Sequence, residues 1–244
     1  MTQRTIRYVL KSAEMIAPKV KYFTFEREDQ AKPQFNAGQF ITLHIQGPTK
    51  ILHRSYSIAN MPDDNNHVEF ACSYVEGGVA SNLLFNLKPG DVVDAGGPYG
   101  LFVLKKEEKP KRYVFIGTGT GVSPYRSMLN DIKSRFDDTH EVILLMGVRN
   151  KEELLFGQDF IHFAKVHPKF KFYACYSRET PDSLQHFERK GHVQSVFPEI
   201  TLNPTDDIVY LCGNPYMIDD AFAKLTEMGF DKKSIRREKY LFSH

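Results

Sequence analysis

The sequence is poor in the features that mark several common classes of protein. It has three cysteines in 244 residues, Cys72, Cys175 and Cys212, and they lie far apart. That spacing excludes a local zinc knuckle and an iron–sulfur cluster on closely spaced cysteines, and argues against a disulfide framework. Any metal chemistry would have to come from a partner. Charge of one sign is also scarce. The 32 Lys and Arg against 30 Asp and Glu leave a formal net charge of +2, no reason to expect nucleic acid or membrane as the main partner. No apolar run approaches the length of a membrane span, and the N-terminus lacks the apolar stretch of a signal peptide, so a cytoplasmic location is expected. With 41% hydrophobic and 25% charged residues, the chain has the composition of a globular protein of one large domain or two ordinary ones.

The first hundred residues carry strand signals. Thr5–Leu10, Val20–Phe25, Phe40–Ile45 and His67–Val75 alternate in hydropathy or are rich in β-branched and aromatic residues. Turn residues separate them, among them Lys32-Pro33, Gln46-Gly47-Pro48 and Pro62–Asn66. Short strands at this spacing predict a small antiparallel barrel. One helical patch interrupts it, Val79–Leu87, stopped by Lys88-Pro89-Gly90. The charged, proline-containing run Lys105–Arg112 reads as a solvated boundary, dividing the chain into residues 1–108 and 109–244. Beyond it, near-continuous apolar strands (Tyr113–Ile116, Glu141–Gly147, Phe170–Tyr176, Asp207–Gly213) interleave with helical stretches such as Tyr216–Leu225. That pattern predicts a parallel sheet covered on both faces, an α/β domain.

The second half opens on Gly117-Thr118-Gly119-Thr120-Gly121-Val122-Ser123-Pro124, directly after an apolar strand. Glycines at such a turn let the backbone approach a bulky anion, and N–H groups at a following helix start attract phosphate. The fingerprint GxGxxG is broken, because Val122 stands where its third glycine belongs, and no Gly-Lys-Ser/Thr follows to make a P-loop. Pro124 suits the first turn of a helix. In the first half, Arg54-Ser55-Tyr56-Ser57 would put a guanidinium and an aromatic ring on one face of an extended segment and Ser57 on the other. Gly77-Gly78-Val79-Ala80-Ser81 places glycine and a hydroxyl at a helix start, a second candidate for phosphate or simply a capped turn.

Arg54-x-Tyr56-Ser57, Gly78–Ser81, Gly117–Pro124 and Cys212-Gly213-Asn214-Pro215 occur in the order and rough spacing of the ferredoxin–NADP reductase family, and the resemblance covers nearly the whole chain. It implies an antiparallel flavin-binding β-barrel followed by an α/β nicotinamide-nucleotide domain. By resemblance, Tyr56 stacks on the isoalloxazine, Arg54 holds the flavin pyrophosphate and Ser57 sits near flavin N5. Gly78, Val79, Ala80 and Ser81 bind the same pyrophosphate, which favours FAD over FMN. Thr118, Gly119, Thr120 and Gly213 receive the nicotinamide dinucleotide, and Cys212 lies beside the nicotinamide C4. Ser177-Arg178 matches a pair that grips a 2′-phosphate, Arg149 matches a basic position of bacterial-type members, and Gly191-His192-Val193-Gln194 falls where the family has an aromatic or basic residue near the adenine. These favour NADPH over NADH. Glu238-x-Tyr240 resembles the family's Glu-x-Tyr ending. Tyr240 is the expected flavin cover, with Phe242 as the alternative. Gly97-Pro98-Tyr99-Gly100 matches a turn at the end of the barrel.

The implied activity is hydride transfer between NADPH and FAD, lined by Ser57, Cys212 and Glu238, with single electrons exchanged with a separate carrier. Ferredoxin or flavodoxin is expected, met by a patch of Lys105, Lys106, Lys109 and Lys111. The chain is expected to be a monomer and to bind no metal. Alternatives are an NAD(P)H-dependent flavin reductase, an oxygenase reductase component and, outside enzymes, a nucleotide-binding sensor module.

Overall fold

A computed structural model describes residues 5–47, 49–62 and 66–240. The chain divides into two compact units. One runs to Val103 and takes in Ser123–Met128; the other is formed, among the described residues, by Leu104–Val122 and residues 129–240.

In the first unit, strands β1 (Ile6–Ala17), β2 (Val20–Arg27), β3 (Phe40–Gln46), β4 (Ile51–Ser57), β5 (His67–Ser73) and β6 (Val92–Tyr99) form an antiparallel sheet in the order β4-β3-β6-β1-β2-β5. Alternation sorts the side chains: Ile41, Leu43 and Ile45 of β3 are buried, and their neighbours are not. Phe23, Phe25 and Phe70 stack at the centre, with neighbouring rings 5.5 to 6.1 Å apart. The sheet curls until its edge strands meet through side chains, Tyr56 of β4 lying on Phe70 of β5 at 4.7 Å. This is the expected barrel. Helix α1 (Val79–Asn86) follows β5, and the short helix α2 (Ser123–Ser127) joins the unit, Arg126 donating to the Tyr22 hydroxyl at 2.8 Å and Ser127 to the Asn60 carbonyl at 2.7 Å. The turn expected at Gly97–Gly100 is instead largely strand. Tyr99 pairs with Phe40, and a register shift between Phe40 and Thr42 lets β6 bend without ending.

In the second unit, β7 (Arg112–Thr118), β8 (Glu141–Val148), β9 (Phe170–Tyr176), β10 (Glu188–Lys190), β11 (Asp207–Gly213) and β12 (Ile235–Lys239) form a parallel sheet in the order β10-β9-β8-β7-β11-β12. Its helices are α3 (Leu129–Ser134), α4 (Gly157–Val166), α5 (Phe197–Ile200) and α6 (Pro215–Glu227). Tyr113 to Gly117 are all buried because both faces are covered. Val114, Ile116, Val209 and Leu211 pack with Ile218, Ala221 and Leu225 of α6, while Tyr113, Phe115 and Tyr210 cluster separately. Strand β12 has no apolar run to announce it: only Ile235 is buried, and as an edge strand it needs a ladder to β11 alone. Strand order reverses at β7, with β8 on one side and β11 on the other. In open α/β sheets such a switch point makes a ligand crevice at the carboxyl ends of the two strands.

Candidate functional site

The glycine turn lies at that switch point. Strand β7 ends at Thr118, and a tight turn of helix, Gly119–Val122, follows. Gly119 has φ +54°, and a Cβ built on it would meet nothing within 4 Å. Gly121 is the reverse case: its Cβ would lie 2.5 Å from the Cys212 carbonyl oxygen and 2.6 Å from Gly213 Cα. The turn is therefore pressed onto the end of β11 while its middle stays open. Gly213, at φ +117°, is equally confined, with a Cβ 2.5 Å from the Thr118 carbonyl oxygen. Asn214 N–H donates to Thr118 Oγ1 at 3.0 Å, and Asn214 Oδ1 caps α6 by accepting from Tyr216 N–H at 2.9 Å. Parallel register puts Cys212 between Gly117 and Glu238, and Tyr240 N–H donates to the Gly213 carbonyl at 2.9 Å. Cys212 is fully buried. Burial first, then the charge of Glu238, holds its thiol well above the usual range, opposed by a side-chain hydrogen bond with Tyr240. Thr118, Gly119, Thr120, Cys212, Gly213, Glu238 and Tyr240 thus come together; Phe242 lies outside the described residues.

Farther along the carboxyl ends of the same sheet, Arg149 follows β8 and Ser177-Arg178 follow β9. Backbone N–H groups of Arg178 and Glu179 donate to the Arg149 carbonyl at 3.1 and 2.9 Å, and Ser177 Oγ donates to the Val148 carbonyl at 3.0 Å. Glu153 joins this group, which the sequence reading missed. Its carboxylate accepts from Arg149 Nε at 2.9 Å, from Arg149 Nη2 and from Arg149 N–H at 3.3 Å. The i,i+4 spacing of opposite charges was visible, but outside a regular helix it does not predict a contact. Two buried polar atoms here, Asn150 Oδ1 and Thr180 Oγ1, have no hydrogen-bond partner among the described residues. A bound nucleotide with ribose hydroxyls fits such a place. Gln194 is held against α6 instead, its Nε2 donating to the Met217 carbonyl at 3.5 Å.

In the first unit, Arg54 and Tyr56 share one face of β4 as expected, both half-buried. Arg54 donates to the His53 carbonyl at 2.9 Å and has no carboxylate partner among the described residues, so donors remain for an anion. The Tyr56 ring rests on Phe70 with its hydroxyl 3.9 Å from Cys72 Sγ, and Ser57 is buried opposite Phe40. Gly77, at φ +72°, has nothing within 4 Å of a built Cβ. Gly78 is tight, 2.9 Å from Ser81 Oγ. The Ser81 hydroxyl is spent on the turn, accepting from Val75 N–H at 3.1 Å and donating to the Val75 carbonyl at 3.0 Å. What α1 offers an anion is therefore its first-turn backbone N–H groups, from Val79 and Ala80 onward. These features fit a phosphate-bearing cofactor.

The lysine run is mostly neutralised. Lys105 pairs with Glu108 at 3.4 Å, Lys109 with Asp138 at 3.0 Å and Lys111 with Asp206 at 3.1 Å, leaving Lys106 without an ion pair among the described residues. This corrects the expected basic patch. No group of three metal-ligating side chains occurs among the described residues, and no described helix is long and apolar enough to cross a membrane.

Comparison with known proteins also finds two domains, with Ser123–Met128 of the first unit falling inside the second match. Residues 7–104 match the oxidoreductase FAD-binding domain, and residues 115–222 the oxidoreductase NAD-binding domain. The fold and these matches define an oxidoreductase with an FAD-binding domain and an NAD(P)-binding domain. The chain is 31% identical over 240 residues to ferredoxin–NADP reductase B of Sorangium cellulosum, covering 95% of this chain and 96% of that protein. It belongs to the ferredoxin–NADP reductase family. It is also 32% identical over 214 residues to the reductase component DmpP of phenol 2-monooxygenase from Pseudomonas sp. (strain CF600), covering 84% of this chain but only 58% of that protein. Among solved structures, the Amycolatopsis cytochrome P450 reductase GcoB superposes with a TM-score of 0.86 at 28% identity, covering 98% of this chain and 71% of the other.

Proposed function

We propose that the chain carries electrons between NADPH and a separate one-electron carrier, ferredoxin or flavodoxin, through bound FAD. FAD supplies hydride exchange with the nicotinamide and release of single electrons, chemistry that no side chain offers. The observation that carries this reading is the gathering of Cys212, Glu238 and Tyr240 beside the open glycine turn at the β7–β11 switch point. There Thr118, Gly119, Thr120 and Gly213 receive the nicotinamide dinucleotide, and Cys212 and Glu238 line the nicotinamide. Arg149, Ser177, Arg178 and Gln194 take the adenosine end, with a preference for the 2′-phosphate. Arg54 and the backbone of Gly78–Ser81 hold the FAD pyrophosphate, Tyr56 stacks on the isoalloxazine, Tyr240 is its cover, and Ser57 hydrogen-bonds near its N5. The flavin domain extends over 1–108 and the nucleotide domain over 109–244, in a cytoplasmic monomer.

The match to ferredoxin–NADP reductase B over nearly the full length of both chains supports ferredoxin or flavodoxin as the carrier. A second reading, a reductase component of an oxygenase, is favoured by the similarity to DmpP. Stopped-flow reduction of the purified yellow protein by NADPH and by NADH, followed by a screen of acceptors, separates these. Fast bleaching by NADPH and onward reduction of ferredoxin or flavodoxin is expected. Transfer to free FMN or an oxygenase alone would overturn the carrier assignment, and a protein that NADPH fails to bleach would point to a sensor.

A further inference from the structure

The adenosine end of the nucleotide site contains a carboxylate where an enzyme selective for a 2′-phosphate has most to gain from bare cations. Arg149 stands on the end of β8 with its side chain about half exposed, 55%, and Glu153 is the more enclosed partner at 24%. Three donors of Arg149 converge on the Glu153 carboxylate: Nε at 2.9 Å, Nη2, and the backbone N–H at 3.3 Å. Burial works against ionisation of Glu153, but these hydrogen bonds and the charges of Arg149 and Arg178 outweigh it and hold the carboxyl below its usual range. The group is therefore charged at neutral pH. The planar fork of a guanidinium matches one carboxylate or one phosphate face, and Arg149 already spends Nε and Nη2, the bidentate edge, on Glu153. Arg178, on the adjacent loop, makes no side-chain hydrogen bond or ion pair among the described residues.

We infer that Glu153 sets the coenzyme specificity of this site: by occupying Arg149 it leaves recognition of a 2′-phosphate to Arg178 and Ser177, so that NADH is accepted beside a modestly preferred NADPH. This rests on the assignment of Arg149, Ser177 and Arg178 to the adenosine end. Removing the carboxylate while keeping the shape releases a cation toward the phosphate and does nothing for a nucleotide that lacks it. Asn150 Oδ1, an acceptor without a partner among the described residues, lies in the same loops and suits a ribose hydroxyl better than a phosphate oxygen, which agrees with a site that still takes the unphosphorylated ribose.

The test is calorimetric titration of the FAD-loaded chain with 2′,5′-ADP and with ADP, fragments that carry the adenosine end and no nicotinamide. The quantity is the ratio of the two affinities in the parent, Glu153→Gln, Arg149→Gln and the double variant. Glu153→Gln is expected to raise the ratio in favour of 2′,5′-ADP by about tenfold, the scale of one freed charge-assisted contact at a part-exposed site. In the Arg149→Gln background the same change is expected to shift the ratio by no more than about threefold, since the cation it frees is gone and only the weaker action of the Glu153 charge on Arg178 and on the phosphate is removed. An unchanged ratio in Glu153→Gln, a fall in it, or an equal gain with and without Arg149 would overturn the inference. A loss of affinity for both fragments alike would show a carboxylate that merely braces the loop, and would overturn it too. The parent's own ratio tests the NADPH preference separately: a parent that favours ADP, combined with a gain in Glu153→Gln, would leave the role of Glu153 standing and remove that preference.

Discussion

The two units each present a glycine turn ahead of a helix, and the turns share a plan. Each has one open glycine in the left-handed region, Gly77 at φ +72° and Gly119 at φ +54°, with nothing near a built Cβ. Each also has one confined glycine, Gly78 and Gly121. They differ in what confines it. Gly78 is enclosed by its own neighbours, Val75 and the Ser81 hydroxyl, so the turn before α1 is a local structure. Gly121 is enclosed by backbone atoms of Cys212 and Gly213, at the end of a strand distant in sequence. An open glycine can thus be presented by a self-contained turn or by pressing a turn against another strand. The second kind couples that glycine to the residues that carry chemistry.

The sharpest way to break this comparison is to fill both confined positions. Gly121→Ala pushes a methyl into backbone that cannot give way, and a loss of about 2–3 kcal/mol in urea denaturation is expected, with hydride transfer from NADPH nearly abolished. Gly78→Ala meets mainly side-chain atoms, and about 1 kcal/mol is expected, with the penalty seen in FAD retention. Equal losses at the two positions would dissolve the distinction. A second test asks whether the anion sites are independent. Arg54→Ala is expected to weaken FAD binding by roughly 10- to 100-fold, the scale of hydrogen bonds to a charged group, while leaving affinity for 2′,5′-ADP unchanged. Smaller still, Cys212→Ala and Ser57→Ala are each expected to slow flavin reduction about tenfold in stopped flow with flavin content intact, through loss of ring positioning. A Ser57→Ala protein with unaltered reduction rate and FAD affinity would remove that residue from the site.

A dependence on pH is shared by both units. Burial pushes the thiols of Cys72, in the barrel, and Cys175, in the parallel sheet, up to about 12 from an ordinary 9.0. The unfolded chain therefore ionises first as pH rises. The stability each thiol contributes is whole below about pH 9 and is lost between about pH 9 and 12. Denaturation midpoints measured across that window should decline, and Cys72→Ala or Cys175→Ala should flatten the decline. A slope that neither replacement alters would assign it to other groups.

Much of the architecture was legible residue by residue. Ile41, Leu43 and Ile45 alternate because one face of β3 meets the core, and Val114 to Ile116 run unbroken because both faces of β7 do. Arg54 and Tyr56 fall on one face by the same two-residue period. The missed elements lack such a period. Strand β12 is nearly all polar, the end of β6 is disguised by Gly97-Pro98, and the lysines of the boundary run look like a patch until Glu108, Asp138 and Asp206 fold against them. Glu153 was legible only as a charge, since nothing local required it to turn back onto Arg149.

The sequence by itself determined where most of the strands lie, that a barrel precedes a parallel sheet, and where the chain can bend sharply, because periodicity and glycine act over a few residues. Tertiary structure alone decided that Gly121 must be glycine for closeness to β11 while Gly119 must be glycine for its backbone angle. It also decided that Cys212 would sit between Gly117 and Glu238, and that one of two arginines would be withheld by a carboxylate. Strand register and the closing of charges across loops are long-range events. No local pattern of residues encodes the distance between two segments that only the folded sheet makes neighbours.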